Sequence, residues 1–203
     1  MCVADYRTER TLGGRIQAAR KARGIKSTRE LAELIGNDTV SINILQNIES
    51  GRMTNLSATQ LLNIAYALKV APSFLLAPIG DAAGGSDLPG LSSGLAAMRP
   101  TEFDGWLSGS DSGAYRPSNA AELAERTELA AFRELDGLLR ERRRLRVLRG
   151  EVTSIDTSAT HLEDTEWNRV DRRLSAVESE IDETRRYLAS AGWGTESLLG
   201  QEE

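Results

Sequence analysis

Apolar residues recur at helical spacing in five short stretches between residues 12 and 76. Residues three and four positions apart lie on one face of a helix, so each stretch predicts a short helix with one buried face. Either Ser27 or Thr28 is suited to cap the second stretch, Ser41 the third and Ser57 the fourth. Glu30 follows Ser27 by three residues, which predicts a capping box at the start of the second helix.

Residues 80–117 lack this periodicity and are rich in Gly, Ser, Ala, Asp and Pro. Such a composition is typical of linkers. We therefore expect a flexible linker after an N-terminal domain at residues 1–79. Phe103, Trp106 and Tyr115 are unusual in a linker, and we expect either a small docking motif or a partly collapsed chain around them.

Two long helices are predicted at residues 118–149 and 160–191, with Gly150 and Gly192 as their ends. The second helix has a heptad seam, which is typical of a coiled coil. The seam residues are Trp167, Val170, Leu174, Val177, Ile181, Thr184 and Leu188. The first helix has a broader apolar stripe that consists of Leu129, Phe132, Leu135, Leu138, Leu139, Leu145 and Leu148.

Charge favours an antiparallel arrangement of these two helices. The end of the first helix is basic, with Arg140, Arg142, Arg143, Arg144 and Arg146. The start of the second helix is acidic, with Glu163, Asp164 and Glu166, and Thr160 with Glu163 predicts a capping box there. We therefore expect a helical hairpin at residues 118–192, which forms a homodimer or docks a partner, and a tail at 193–203.

Composition supports an all-α fold in which Leu, Ile and Ala form the core, because aromatic residues make up only 5% of the chain. Cys2, the single cysteine, can form neither an internal disulfide nor a zinc cluster. We see no signal-peptide pattern and no uninterrupted apolar run of membrane-spanning length, so we expect a cytoplasmic protein.

The net charge of -5 conceals an asymmetry. Residues 1–80 have 10 Lys and Arg against 6 Asp and Glu, a net charge of +4. Residues 81–203 have 15 against 24, a net charge of -9. This distribution favours a basic binding domain followed by an acidic segment that contacts a partner.

Three runs of sequence carry a family resemblance: TRELAELIG from Thr28 to Gly36, VSINILQNIESGR from Val40 to Arg52, and LLNIAYALKV from Leu61 to Val70. Together they resemble the Cro/C1-type (XRE) helix-turn-helix family over roughly a third of the chain. The resemblance implies a five-helix domain that binds double-stranded DNA in a transcriptional regulator, with a repressor of the phage-immunity type as the expected class. Asn37, Asp38 and Thr39 look inserted relative to the family, and Thr28 stands where the family often has Gln.

The stretch from Ser41 to Ser50 has the pattern of a helix that reads the major groove, which admits a single α-helix. Asn43 and Asn47 lie one turn apart, opposite the apolar positions, and Asn is suited to bidentate pairing with adenine. Ile42 either contacts a thymine methyl group or belongs to the core. The same two alternatives hold for Ile44, and Ser41 and Gln46 complete the candidate set on this helix.

Phosphate contacts are expected on both sides of this helix. The resemblance implies that the segment after the recognition helix meets the DNA backbone, which makes Arg52 and Asn55 candidates. Thr28 and Arg29 are candidates because the N-terminus of a helix favours phosphate. Four basic residues either add electrostatic attraction or form a solvated face, namely Arg20, Lys21, Arg23 and Lys26.

The residues do not favour an enzyme. Some repressors of this type cleave themselves with a Ser–Lys dyad after an Ala-Gly bond, but every lysine of this chain lies N-terminal to Ala83 and Gly84. His161 is the sole histidine, which excludes a two-histidine metal motif, and no glycine-rich phosphate loop is present. We expect no catalytic activity, no cofactor and no metal.

Two other classes of function stay open. The chain is either an antitoxin or adaptor that acts through the C-terminal hairpin, or a nucleoid-type DNA binder of low specificity. The operator sequence, the sign of regulation, the oligomeric state and the partner of the hairpin are not indicated by the residues.

Overall fold

The computed structural model describes residues 5–81, 85–154 and 163–195, with side chains for 5–81, 85–150 and 167–195. Within these residues every regular element is a helix, which confirms the all-α prediction. The chain divides into two compact units, Met1–Arg116 and Pro117–Glu203.

The first unit begins with the predicted set of short helices, which are α1 (Leu12–Ala22), α2 (Thr28–Ile35), α3 (Ile42–Glu49), α4 (Ala58–Leu68) and α5 (Pro72–Leu76). Ser27, Ser41 and Ser57 cap α2, α3 and α4 as predicted. The predicted capping box of α2 is only half formed. The Ser27 hydroxyl accepts from the Glu30 amide, but the Glu30 carboxylate accepts from the amide of Lys26. The reciprocal box lies instead at the start of α4, between Ser57 and Gln60.

A close contact between α1 and α3 sets the geometry of this unit. A Cβ atom placed on Gly13 would lie 1.9 Å from the carbonyl oxygen of Ile48, so only glycine allows the two backbones to approach this closely. Ile16 of α1, Leu31 of α2, Leu45 of α3 and Ile64 of α4 are fully buried in the same core. The position of α3 is therefore fixed by backbone contact as well as by side-chain packing.

A buried ion pair joins the same two helices. Arg20 donates through Nε and Nη2 to the Glu49 carboxylate at 2.7 and 2.6 Å, and through Nη1 to the carbonyl oxygen of Ile25. The two side chains are only 7% and 6% exposed. The hydrogen bonds to Glu49 raise the pKa of Arg20 above its ordinary value. Arg20 is thus a buried structural residue, and both alternatives drawn from the sequence, electrostatic attraction and a solvated face, were wrong for it.

The segment predicted as a flexible linker contains two further helices, α6 (Ser93–Ala96) and α7 (Pro100–Ser108). The expectation for residues 80–117 is therefore wrong in this part of the chain. Phe103 is buried at 3% exposure, and its ring lies 5.9 Å from that of Trp106. Tyr115 packs closely against Gly105. These aromatic residues form a packed motif that periodicity could not show, because α7 is short and is flanked by loop-like sequence.

A polar contact anchors the start of this segment to α1. The Asp87 carboxylate accepts from the amide of Leu12, at the N-terminus of α1, and from Nη2 of the fully buried Arg15. Arg15 also donates to the carbonyl oxygens of Leu75, Glu9 and Arg10. Asp87, which follows α5 in the chain, thus completes the hydrogen bonding of a buried arginine in α1.

The second unit consists of α8 (Ala120–Ser154) and α9 (Glu163–Ser190). All seven predicted seam residues of α9 are buried or half-buried. The pairing is antiparallel, because Trp193, just after α9, donates to Glu128 early in α8, while Arg149 late in α8 pairs with Asp171 early in α9. The prediction that Gly150 ends the first helix was wrong, since α8 continues through it.

Ion pairs join α8 and α9 within the described part of the hairpin. Arg146 pairs with Glu178, and Arg173 of α9 binds Glu141 of α8 at 2.8 and 3.1 Å. These hydrogen bonds lower the pKa of Glu141. The side chains of Glu163, Asp164 and Glu166, with Thr160 and His161, lie outside the described residues.

A membrane span would need a helix that is both long and largely apolar. None of the helices in the described ranges meets that requirement.

The close approach at Gly13 gives a direct test. We expect Gly13→Ala to destabilise the first unit by about 1–3 kcal/mol, because the added methyl group overlaps the backbone of α3. Hydrogen exchange measured by mass spectrometry would show lower protection in α1 and α3. Gly137→Ala in α8 is the matched control: nothing lies within 4 Å of its Cβ position, so it should stabilise α8 by about 0.5–1 kcal/mol. Equal protection of α1 in the Gly13 variant and the wild type would contradict the contact.

The buried ion pair gives a second test. Arg20→Met leaves the Glu49 carboxylate buried without a counter-charge, with only the long hydrogen bond from Gln17 at 3.5 Å, so we expect a loss of about 3 kcal/mol in the stability of the first unit. The double variant Arg20→Met with Glu49→Leu should be less destabilised than Arg20→Met alone, because no charge remains buried. Arg99→Met, which removes a largely exposed partner of Glu102, is the control and should change stability far less. Equal effects of Arg20→Met and Arg99→Met on urea denaturation would show that the buried pair has no special role.

Candidate nucleic-acid interface

Helix α3 is positioned by its apolar side and presents its polar side to solvent. The Ser41 hydroxyl accepts from the amide of Ile44 at 3.3 Å and fixes the first turn. Leu45 and Ile48 are completely buried against α1 and α2. The helix starts at Ile42, as the pattern predicted. This start determines which residues lie on its buried face and which on its exposed face.

The outward side of α3 carries a row of polar side chains. Asn43, Gln46 and Ser50 are exposed and Asn47 is half-buried. Their spacing of three, four and seven residues places them on one face of a helix. Asn and Gln each present a donor and an acceptor in one plane, which matches the paired groups on a base edge. The predicted Asn43, Gln46 and Asn47 therefore share one face, which we call the amide row.

Ile42 and Ile44 lie on the two flanks of the amide row, and both are half-buried. Their side chains contribute to the packing of α3 and keep part of their surface in solvent. Their partial burial agrees in part with the core alternative, and contact with a base stays a prediction.

The turn after α3 brings a second group of candidates next to the row. The carbonyl oxygen of Asn47 accepts from the amide of Met53 at 3.0 Å and from the Ser50 hydroxyl at 3.2 Å. Gly51 has a φ of 73°, a conformation that glycine adopts without strain. This turn leaves Arg52 and Asn55 exposed in the segment that follows the helix.

Helix α2 supplies the third group. Ser27 accepts from the amide of Glu30, and the next residues, half-buried Thr28 and exposed Arg29, form the first turn. The first amides of a helix lack partners inside the helix and point along its axis, so this end favours an anion. Thr28 and Arg29 therefore stand at an N-terminus suited to a phosphate oxygen.

The three inserted residues form an exposed bulge between α2 and α3. Gly36 ends α2 with a φ of 67°, and Asn37, Asp38 and Thr39 follow it in solvent. Val40 then returns to the core at 1% exposure. Gln60 of α4 donates to the carbonyl oxygen of Thr39 at 3.1 Å, which ties the bulge to α4 shortly before α3 begins at Ile42.

The basic residues of this unit divide into structural and exposed sets. Arg23 donates to the carbonyl oxygens of Leu68 and Lys69 at the end of α4, so it serves as a helix cap. Lys21 donates to Gln17 within α1. In the part of the chain that the structure describes, Arg29 and Arg52 form no ion pair, and both are exposed. Lys26, directly before the Ser27 cap, is exposed as well and is in no ion pair among the described residues, so Lys26, Arg29 and Arg52 are the candidates for positive charge near α2 and α3.

Ser50 was missed by the sequence analysis as a site residue. It is exposed on the same face as Asn43, seven residues later, and that spacing is the signal that would have identified it. Arg15 and Asp87 were missed as well, although they support α1 rather than the exposed face. Their pairing joins residues far apart in the chain, which no local pattern reveals.

Comparisons with protein-family models, with curated proteins and with solved structures each found no match to this chain. The resemblance to the Cro/C1-type family therefore rests on the three sequence runs alone and stays a prediction.

Proposed function

We propose that this protein is a sequence-specific regulator of transcription that binds double-stranded DNA through α3, in the manner of the Cro/C1-type helix-turn-helix family. The observation that carries the proposal is the amide row, which stands on a helix whose opposite side is fully buried. A helix held this firmly can present side chains to base edges in one geometry, which sequence discrimination requires.

The dimensions of α3 suit the major groove. An α-helix with its side chains is about 10–12 Å wide, and the groove is about 12 Å wide. Asn43 and Asn47 would pair with adenine through their amide groups, and Gln46 would do the same from the adjoining position. Ile42 and Ile44, on the flanks, would meet thymine methyl groups.

Contacts with the DNA backbone would fix this orientation. Thr28 and Arg29 stand at the N-terminus of α2, while Arg52 and Asn55 follow α3, so the two pairs lie on either side of the recognition helix in the chain. Contacts of this kind position a protein on the duplex without reading its sequence. Arg29 and Arg52 would supply the part of the affinity that depends on salt.

A dimer through residues 118–192 belongs to the same proposal. Helix-turn-helix proteins commonly bind as dimers to two half-sites about one helical turn apart. The apolar seam of α9 is covered by α8 within one chain, so the dimer would use the outer surface of the hairpin, where Val147 is 62% exposed and Tyr187 41% exposed. We propose repression of the phage-immunity type as the regulatory outcome.

The amide row gives the decisive prediction. The full chain is first used to select preferred sequences from a pool of random duplexes. We expect the double variant Asn43→Ala with Asn47→Ala to lose its preference for the selected sequence, at about 1–3 kcal/mol for each bidentate contact removed. Asn168→Ala, at an exposed asparagine of α9, is the matched control and should keep the preference.

Two results would count against this assignment. Unchanged selectivity in the double variant would mean that α3 is not the reading helix. A full chain with no affinity for any duplex at low salt would remove the proposal and favour an interaction module that acts through the hairpin.

The backbone contacts give a separate prediction. Arg29→Ala and Arg52→Ala should each weaken binding to selected and unrelated duplexes by a similar factor. Each should also lower the slope of log affinity against log salt by about one. Arg169→Ala, at an exposed arginine of α9, should leave both affinity and slope unchanged. A loss confined to the selected sequence would instead make the substituted arginine a base-reading residue.

A further inference from the structure

An apolar groove lies within the first unit, between α4, α5 and α7, and has a volume of about 580 Å³. Its walls come mainly from leucine, alanine and proline side chains, with Leu61 and Leu62 of α4 on one side and Leu107 of α7 on the other. Leu62 and Leu107 remain 54% and 41% exposed. The volume lies in the range of about 300–1,000 Å³ that is typical of sites for small organic molecules.

One charged group faces this groove, the carboxylate of Asp104 in α7. Asp104 is half-buried, and no described residue donates a hydrogen bond to it or pairs with it. The other carboxylate of the helix, Glu102, is paired with Arg99 at 2.8 Å. A carboxylate beside apolar walls has lost part of its hydration, and a cation would compensate for that loss.

We propose that this groove binds a small organic cation, which places an apolar body between Leu62 and Leu107 and an ammonium group against Asp104. The hydroxyl groups of Ser73 and Ser108, which also line the groove, can accept from the remaining ammonium protons. A protein partner fits less well, because a stable protein interface buries about 800 Å² on each side. The surface of this groove is far smaller than that area.

The binding site is assigned independently of the amide row. None of its lining residues belongs to α2 or α3. Binding of the cation is therefore measured without DNA, and its failure would leave the proposed DNA-binding function untouched.

The test uses three probes that share one apolar body and differ in the charge of the head group: octylammonium, octan-1-ol and octanoate. Affinities are measured by calorimetric titration of the full chain, below the concentration at which the probes form micelles. Octylammonium should bind with the highest affinity, at least about fivefold above octan-1-ol, and octanoate with the lowest. Asp104→Asn should reduce the spread among the three probes to within about twofold. Asp111→Asn, at an exposed carboxylate outside the groove, should leave the spread unchanged.

A second pair of variants tests the walls. Leu62→Gln with Leu107→Gln should weaken the binding of all three probes, whereas Leu123→Gln, at an exposed leucine of α8, should not. Both substituted groove residues are exposed, so the fold should survive, and circular dichroism would verify this.

Three outcomes would overturn the proposal. The first is equal or tighter binding of octanoate. The second is absence of binding by all three probes. The third is self-association of the wild-type chain in sedimentation that the Leu62→Gln and Leu107→Gln variant abolishes, which would make the groove an interface between copies.

Discussion

The contact between α1 and α3 is the constraint on which the candidate interface depends. Helix α3 has only eight residues, too few to be stable alone in water, so its orientation must come from its neighbours. Gly13 lets the backbone of α1 touch the carbonyl oxygen of Ile48, and Arg20 holds the Glu49 carboxylate at the end of the helix. Both contacts lie on the side of α3 that faces α1, so the amide row is held on the opposite side of the helix.

The arginines of the first unit show how folding uses charge that composition would assign to a partner. Arg15 and Arg20 are buried, and Arg23 caps α4, so three of the basic residues in this region bind protein carbonyl or carboxylate groups. Arg29 and Arg52 remain exposed beside α3. The net positive charge of residues 1–80 follows from the sequence. Only the tertiary structure separates the cations that face solvent from those that hold helices together.

Local features of the fold were predictable because they depend on neighbours in the chain. Ser41 as a cap, Gly36 as the end of α2 and the seam of α9 are each set by residues within about two helical turns. The segment at 80–117 was misjudged for the converse reason. Its order depends on Asp87 meeting Arg15 and on the burial of Phe103, and loop-like composition conceals such distant contacts.

The sequence by itself determined the all-helical class, the capped starts of α2, α3 and α4, the resemblance to helix-turn-helix regulators and the residues of the amide row. These follow from periodicity and capping, which act over a few residues. The tertiary structure alone decided which arginines are structural, that Gln60 ties the bulge after Gly36 to α4, and that α7 closes a groove beside Asp104. Each of these results depends on contacts between residues that are far apart in the chain, and a local sequence pattern does not specify such contacts.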